Sequence, residues 1–171
     1  IRSQLDAAVE MFFLSENVVA THTLVAAAYN TLRDIARKQS EEHPFLKRGY
    51  LDSLDKSERE RVMIHLNGPE NFFKHADRDP DASFEFNTEL TELLLADAMG
   101  YFRDKPALRP RHYDIFRLWV GEIKDGAVPD PLVRALVEAF GMNLRSKGKP
   151  EFWRLGHLVI EGWRSRHGVD A

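Results

Sequence analysis

The apolar residues of this chain recur every three to four positions, and this spacing constrains the fold more than any other feature. The clearest run lies between Asn17 and Gln39, where Asn17 can cap the helix. No alternating run of useful length, the pattern of a half-buried strand, occurs in the 171 residues. The sequence therefore predicts an all-α fold. The stripe of this helix is Val18, His22, Val25, Tyr29, Leu32 and Ala36.

The same spacing divides the chain into two groups of helices. Pro106 and Pro110 mark a joint between them. We expect a helical bundle in residues 1–105 and a three-helix C-terminal extension in residues 106–171, packed on the bundle through Trp119, Phe140 and Trp163. The other helices are predicted over 2–15, 57–66, 69–76, 88–104, 111–124, 131–144 and 150–165, with a packed loop over 40–54.

Composition excludes several classes of protein. The formal net charge of −3 argues against binding nucleic acid by bulk charge. The absence of cysteine excludes disulfides and thiolate chemistry and fits a reducing compartment, so a cytoplasmic location is expected. No apolar run approaches the roughly 18 residues of a membrane span, and no membrane partner is expected.

The stretch from Asn67 to Asp81 sets functional side chains most closely against aromatic ones. Asn67 and Gly68 should break one helix, and Pro69 suits the first position of the next. On that second helix Asn71 and His75 share a face, because they are four residues apart. The spacing Asp77-x-Asp79-x-Asp81 is typical of a calcium loop, but Ala82 and Thr88 replace the required Gly and Glu. A solvated acidic turn is therefore the preferred interpretation.

Four polar residues occupy core-type positions: His22, Asn71, His75 and Asp97. One interpretation is a shared site in which Asp97 orients a histidine that binds a ligand or moves a proton. The preferred interpretation is a buried hydrogen-bond network that fixes helix register, because no nucleophile or anion clamp is recognisable beside it. His75 is accordingly expected to be structural.

Metal binding is the next alternative, with His22, His75 and Asp97 as ligands. The chain contains no Glu-x-x-His and no His-x-x-x-His spacing, so no metal or other cofactor is expected. A basic bias late in the chain suggests contact with RNA or an acidic partner, although solvated helix faces explain it more simply. Its members are Arg145, Lys147, Lys149, Arg154, Arg164 and Arg166.

Two stretches resemble the HEPN superfamily of small all-helical proteins found in many bacteria. They are the alanine-rich helix from Asn17 to Arg37 and the segment Glu70-Asn71-Phe72-Phe73-Lys74-His75. The resemblance covers roughly residues 1–105. It implies a metal-independent ribonuclease motif, in which His75 matches the histidine and Asn71 the polar residue, while Glu70 stands at the arginine position.

The resemblance and this departure give three functional hypotheses. The preferred one is a non-catalytic, HEPN-like binding or interaction module, with RNA, a nucleotide or a protein as its partner. The second is a ribonuclease that uses His75, with Arg78 replacing the missing arginine. The third is the metal-binding protein described above. A homodimer is also expected, because Phe12, Phe13, Phe72 and Phe73 offer much apolar surface.

Overall fold

A computed structural model describes residues 1–41, 45–46, 51–75, 81, 83–121, 146 and 148–167 of the protein. Regular structure in these ranges is helical and no strand occurs there, which confirms the predicted all-α class. The elements are α1 (Arg2–Leu14), α2 (Val18–Lys38), α3 (Lys56–Lys74), α4 (Glu89–Gly100), a 3-10 turn (Pro106–Leu108), α5 (Tyr113–Trp119) and α6 (Lys149–His167).

Side-chain caps set the beginnings of several helices. The Asn17 side chain accepts a hydrogen bond of 2.9 Å from the Ala20 backbone N–H, which confirms the predicted cap of α2. Thr88 makes no capping bond; Asn87 instead accepts from the Glu89 N–H at 2.9 Å. Asp55, rather than Ser57, caps α3 by accepting from the Glu58 N–H.

The predicted break at Asn67 and Gly68 is wrong. α3 continues from Lys56 to Lys74 with Pro69 inside it. Pro69 is buried, and the Phe84 ring lies over Gly68, where an added Cβ would meet Phe84 Cζ at 3.4 Å. Tertiary packing thus overrides the local tendency of Gly-Pro to end a helix.

The core is an aromatic and aliphatic cluster that draws on both halves of the chain. The Phe13 ring stacks on Phe152 of α6 at 5.8 Å and meets Trp119 of α5 edge-on at 5.5 Å between centroids. Phe12 contacts Phe116 and Trp119. Phe12 and Phe13 are therefore buried, and the expectation that they offer surface to a partner is wrong.

The elements after the joint pack directly on the first helices. α6 lies against α1 and α5, and α4 contacts α5. Trp119 lies in the core cluster. Phe140, the predicted helix over 131–144 and the side chain of Trp163 lie outside the described residues.

The loop before α3 is held by two buried anchors, Phe45 and Leu51. The Phe45 ring packs between Tyr29 of α2 and Tyr101 beyond α4. The other predicted anchors are Leu46, which is partly buried, and Tyr50, which lies outside the described residues. In the part of the chain that the structure describes, no helix has both the length and the apolar character that a bilayer crossing requires.

Candidate ligand-binding cleft

His22 is fully buried between α2 and α4. Its Nδ1 lies 3.0 Å from the Thr91 hydroxyl, and the edges of Phe73 and Phe86 pack around the imidazole. Thr91 was not expected as a partner, although its position on the inner face of α4 follows from helical spacing. His22 is thus a core histidine that links two helices.

One oxygen of Asp97 accepts two hydrogen bonds, one from a side chain and one from the backbone. The Tyr29 hydroxyl and the Leu46 backbone N–H both donate to Asp97 Oδ2, each at 2.7 Å. This explains a carboxylate on the core face of α4, because buried acceptors require donors. Asp97 thus holds the loop at Leu46 against α2.

The other two members of the predicted network are not buried. Asn71 and His75 are exposed at the end of α3, where the His75 backbone closes the last turn. Their burial was predicted wrongly, because the helix does not restart at Pro69 and Glu70, rather than Asn71, takes the inward position. Among the described residues, no side-chain contact supports the structural role predicted for His75.

The polar residues that do face inward form two separate contacts rather than one site. His22 pairs with Thr91, whereas Asp97 pairs with Tyr29, seven residues further along α2. Seven residues span about 10 Å along a helix axis, which is far more than one ion can bridge. No group of three metal-ligating side chains is arranged for a metal within the described residues.

Glu70 is a buried polar residue on the inner face of α3 that was not among the four predicted core positions. The Asn30 amide of α2 donates to both carboxylate oxygens at 3.1 and 3.0 Å, and the Lys74 ammonium lies 2.6 Å from one of them. The carboxylate thus joins α2 to α3. Arg78 and the residues Asp77 and Asp79 of the acidic turn lie outside the described residues, while Asp81 is exposed.

A cleft of about 880 Å³ opens where α1, the segment after the joint, α5 and α6 meet. Its walls combine apolar residues, among them Ile115 and Ile160, with an unusual number of charged ones. We call it the arginine cleft. Its lining residues are Arg2, Ser3, Asp6, Pro106, Arg109, Pro110, Arg111, Tyr113, Asp114, Ile115, His157, Ile160, Glu161 and Arg164.

Two of the four arginines are fixed by the protein itself. Arg109 donates to the backbone carbonyls of Phe102 and Arg103, and its guanidinium stacks over the Tyr113 ring at 4.5 Å. Arg164 of α6 donates to Asp114 of α5 at 2.8 Å, and both side chains are largely buried. These contacts shape the cleft walls.

His157 lies in the wall of the cleft against a second histidine. Its ring packs on Trp153 at 4.5 Å and on the buried His112 at 5.5 Å between centroids. Burial lowers the pKa of His157, with His112 and nearby arginines adding to the effect and Glu161 opposing it. Burial also lowers the pKa of His112, whose Nδ1 has no hydrogen-bond partner among the described residues. Both rings are therefore neutral near pH 7.

Sequence reasoning missed this cleft almost entirely. Of its residues only Arg164 was singled out, as part of the late basic bias. Of the other basic residues in that bias, Arg154 pairs with Glu151 and Lys149 lies over the Phe12 ring, while Arg145 and Lys147 lie outside the described residues, as does the side chain of Arg166. A usable signal was the run Arg109-Pro110-Arg111-His112 directly at the joint.

Comparisons of the chain with family models, with curated proteins and with solved structures gave no match. The fold and the cleft are therefore the observations on which a function is built.

Proposed function

We propose that the protein is a non-catalytic helical binding module whose ligand is a small molecule held in the arginine cleft. The observation that carries this proposal is the cleft itself, a concavity of about 880 Å³ whose walls combine apolar residues with charged ones. Sites for small ligands typically have volumes of about 300–1,000 Å³.

The absence of a catalytic role in this proposal rests on Glu70. In the HEPN-like interpretation this position would hold an arginine that stabilises charge on a phosphate. Here it holds a carboxylate that is buried against Asn30 and Lys74. The departure from the motif at Glu70 and the contacts of its carboxylate thus both favour binding over RNA cleavage.

Blocking the cleft tests the proposal. Ser3 and Gln4 are neighbouring exposed residues of α1, and only Ser3 lines the cleft. Ser3→Trp should fill the opening, and Gln4→Trp is the matched control because it adds the same side chain outside it. A panel of sugar phosphates, nucleotides, carboxylic acids, amino acids and polyamines is screened by thermal shift and ligand-observed NMR.

At least one class of compound is expected to raise the melting temperature of the wild type and of Gln4→Trp but not of Ser3→Trp. Compounds that bind Ser3→Trp equally well would place the site elsewhere and overturn the proposal. So would a panel in which no compound binds at millimolar concentration.

The two alternative functions have separate assays. Elemental analysis of the purified protein tests for a bound metal. An RNA-cleavage assay with His75→Ala tests the ribonuclease, since the exposed His75 can be removed without disturbing the core.

A further inference from the structure

Arg2 and Arg111 differ from the other two arginines of the cleft. Both are exposed, and neither has a hydrogen bond, ion pair or ring contact with any part of the chain that the structure describes. They approach the cleft from different elements, Arg2 from α1 and Arg111 from the segment before α5. Two guanidinium groups that have no partner among the described residues thus line one concavity.

The three carboxylates of the cleft are too few to neutralise its four arginines. Asp114 is paired with Arg164, and Asp6 Oδ1 accepts the His112 backbone N–H at 3.0 Å. Glu161 is exposed and makes no ion pair within the described ranges. With His157 neutral, four arginines against three carboxylates give the lining a formal excess of one positive charge. The cleft therefore favours an anion.

Resting on the proposed function, we infer that the ligand of the cleft is a phosphate monoester, with its phosphate held by Arg2 and Arg111. A guanidinium presents five N–H donors in a planar fork. A phosphate monoester has a charge near −2 and three acceptor oxygens, which is enough to engage two such forks at once. A carboxylate has two oxygens and is satisfied by one fork.

The rest of the cleft suits the organic part of such a molecule. The neutral His157 imidazole offers one donor and one acceptor nitrogen to hydroxyl groups. Pro106 provides exposed apolar surface in the same lining. The acidic net charge of the chain and the bounded volume favour a small phosphate ester over a polyanion.

Ribose 5-phosphate and ribose are the two probes, because the first carries the phosphate monoester and the second lacks it. Binding is measured by isothermal titration calorimetry, with phosphorus NMR of the phosphate as a second readout. Arg2→Gln and Arg111→Gln each remove one guanidinium group from the cleft. Arg61→Gln is the matched control, because it removes the same charge from an exposed position of α3 outside the cleft. Circular dichroism checks that the variants fold.

Ribose 5-phosphate is expected to bind at least about tenfold more tightly than ribose, since a charged hydrogen bond is worth that factor or more. Arg2→Gln and Arg111→Gln should each lose about tenfold affinity for the phosphate, and Arg61→Gln should retain wild-type affinity. Added salt should weaken the phosphate complex.

Failure of this inference differs from failure of the proposed function. If ribose binds as tightly as ribose 5-phosphate, or if the two arginine variants bind like the wild type, the phosphate assignment is wrong. If Ser3→Trp still abolishes binding in that case, the cleft remains the ligand site. If Ser3→Trp binds the phosphate normally, both proposals fail.

Discussion

Asp97 shows why a carboxylate is tolerated on the inner face of a helix. One of its oxygens accepts hydrogen bonds from the Tyr29 hydroxyl and from the Leu46 backbone N–H. Removal of the acceptor leaves these donors in a low-dielectric environment without a partner, and that loss exceeds the net value of the hydrogen bonds themselves.

Asp97→Ala should lower the free energy of unfolding by about 2 kcal/mol, the scale of unsatisfied buried polar groups. Denaturant titration measures the change. Asp34→Ala is the matched control, because Asp34 is about half exposed and, among the described residues, pairs with Arg33 and Arg37. Its loss should stay below about 0.5 kcal/mol. Equal losses for the two variants would contradict the assigned role of Asp97.

The histidines at the cleft make stability depend on pH. The pKa of both His112 and His157 is lowered on folding, chiefly by burial. Asp6, Glu10 and Glu161 oppose this shift, while Arg111 and Arg164 add to it. Below the ordinary imidazole pKa of about 6.5, the two histidines are protonated in the unfolded chain but remain neutral in the folded chain until the pH reaches their lowered pKa values. The stability of the neutral pair is therefore present above that pH and lost as the pH falls through the folded-state values.

The melting temperature should fall on acidification from about pH 7.5 to pH 5, which brackets the ordinary imidazole pKa. His157→Gln should reduce this dependence, because one of the two titrating rings is gone. The same exchange at the exposed His65 of α3 is the matched control and should leave the dependence intact. Differential scanning calorimetry of the three proteins decides between these outcomes, and an undiminished slope in His157→Gln would contradict the assignment.

At the scale of single elements, helical periodicity was a good guide where local and tertiary preferences agreed. α2 was expected between Asn17 and Gln39 and spans Val18–Lys38. α3 was divided wrongly, because Gly68 and Pro69 disfavour a helix locally and the packing of Phe84 over Gly68 is invisible in sequence. The cleft was missed for a related reason. α1 and α6, which line it, are far apart in the sequence, and helical periodicity does not show which distant helices are in contact.

Two helix glycines allow a paired prediction. Gly68→Ala adds a methyl at 3.4 Å from Phe84, an ordinary contact, and improves helix propensity, so it should stabilise the protein by about 0.5–1 kcal/mol. Gly156→Ala in α6 places its methyl 3.1 Å from two atoms of Ile115, a fully buried side chain with little room to move. Overpacking there should outweigh the gain in propensity, with a net loss of about 1 kcal/mol.

Thermal denaturation of the two glycine variants and the wild type measures whether each substitution raises or lowers the stability. A Gly68→Ala protein that melts earlier than the wild type would indicate that α3 is not a continuous helix at this position. A stabilised Gly156→Ala would indicate that α5 and α6 are less tightly packed than the Ile115 contact suggests.

At the scale of the whole molecule, the homodimer stays a prediction, but fewer exposed apolar side chains now support it. Phe12 and Phe13 are used within the chain, and Phe72 and Phe73 are partly covered by Phe84 and Phe86. The remaining exposed apolar side chains include Ile64, Leu93 and Phe84. Light scattering at micromolar concentration should still give twice the monomer mass, and a monomer alone would contradict the prediction.

The core joins the two halves of the chain, and cooperative unfolding should follow from it. Phe13 of α1 is in contact with Trp119, Phe152 and Trp153, all of which come after the joint. Separation of the halves would therefore expose aromatic surface on both sides, which is unfavourable by several kcal/mol. We expect a single unfolding transition for the whole chain.

The distribution of tryptophan makes this expectation directly measurable. All three tryptophans, Trp119, Trp153 and Trp163, lie in residues 106–171. Their fluorescence therefore reports that half of the chain and the contact of Trp119 and Trp153 with Phe13, whereas far-ultraviolet circular dichroism reports all helices. Leu32→Ala removes a buried side chain of α2, which packs mainly on α1, α3 and α4, and should destabilise the protein by about 2–5 kcal/mol. Because unfolding is cooperative, the fluorescence midpoint should fall as far as the circular dichroism midpoint. A fluorescence midpoint that is unchanged by Leu32→Ala would mean that residues 106–171 unfold as an independent domain.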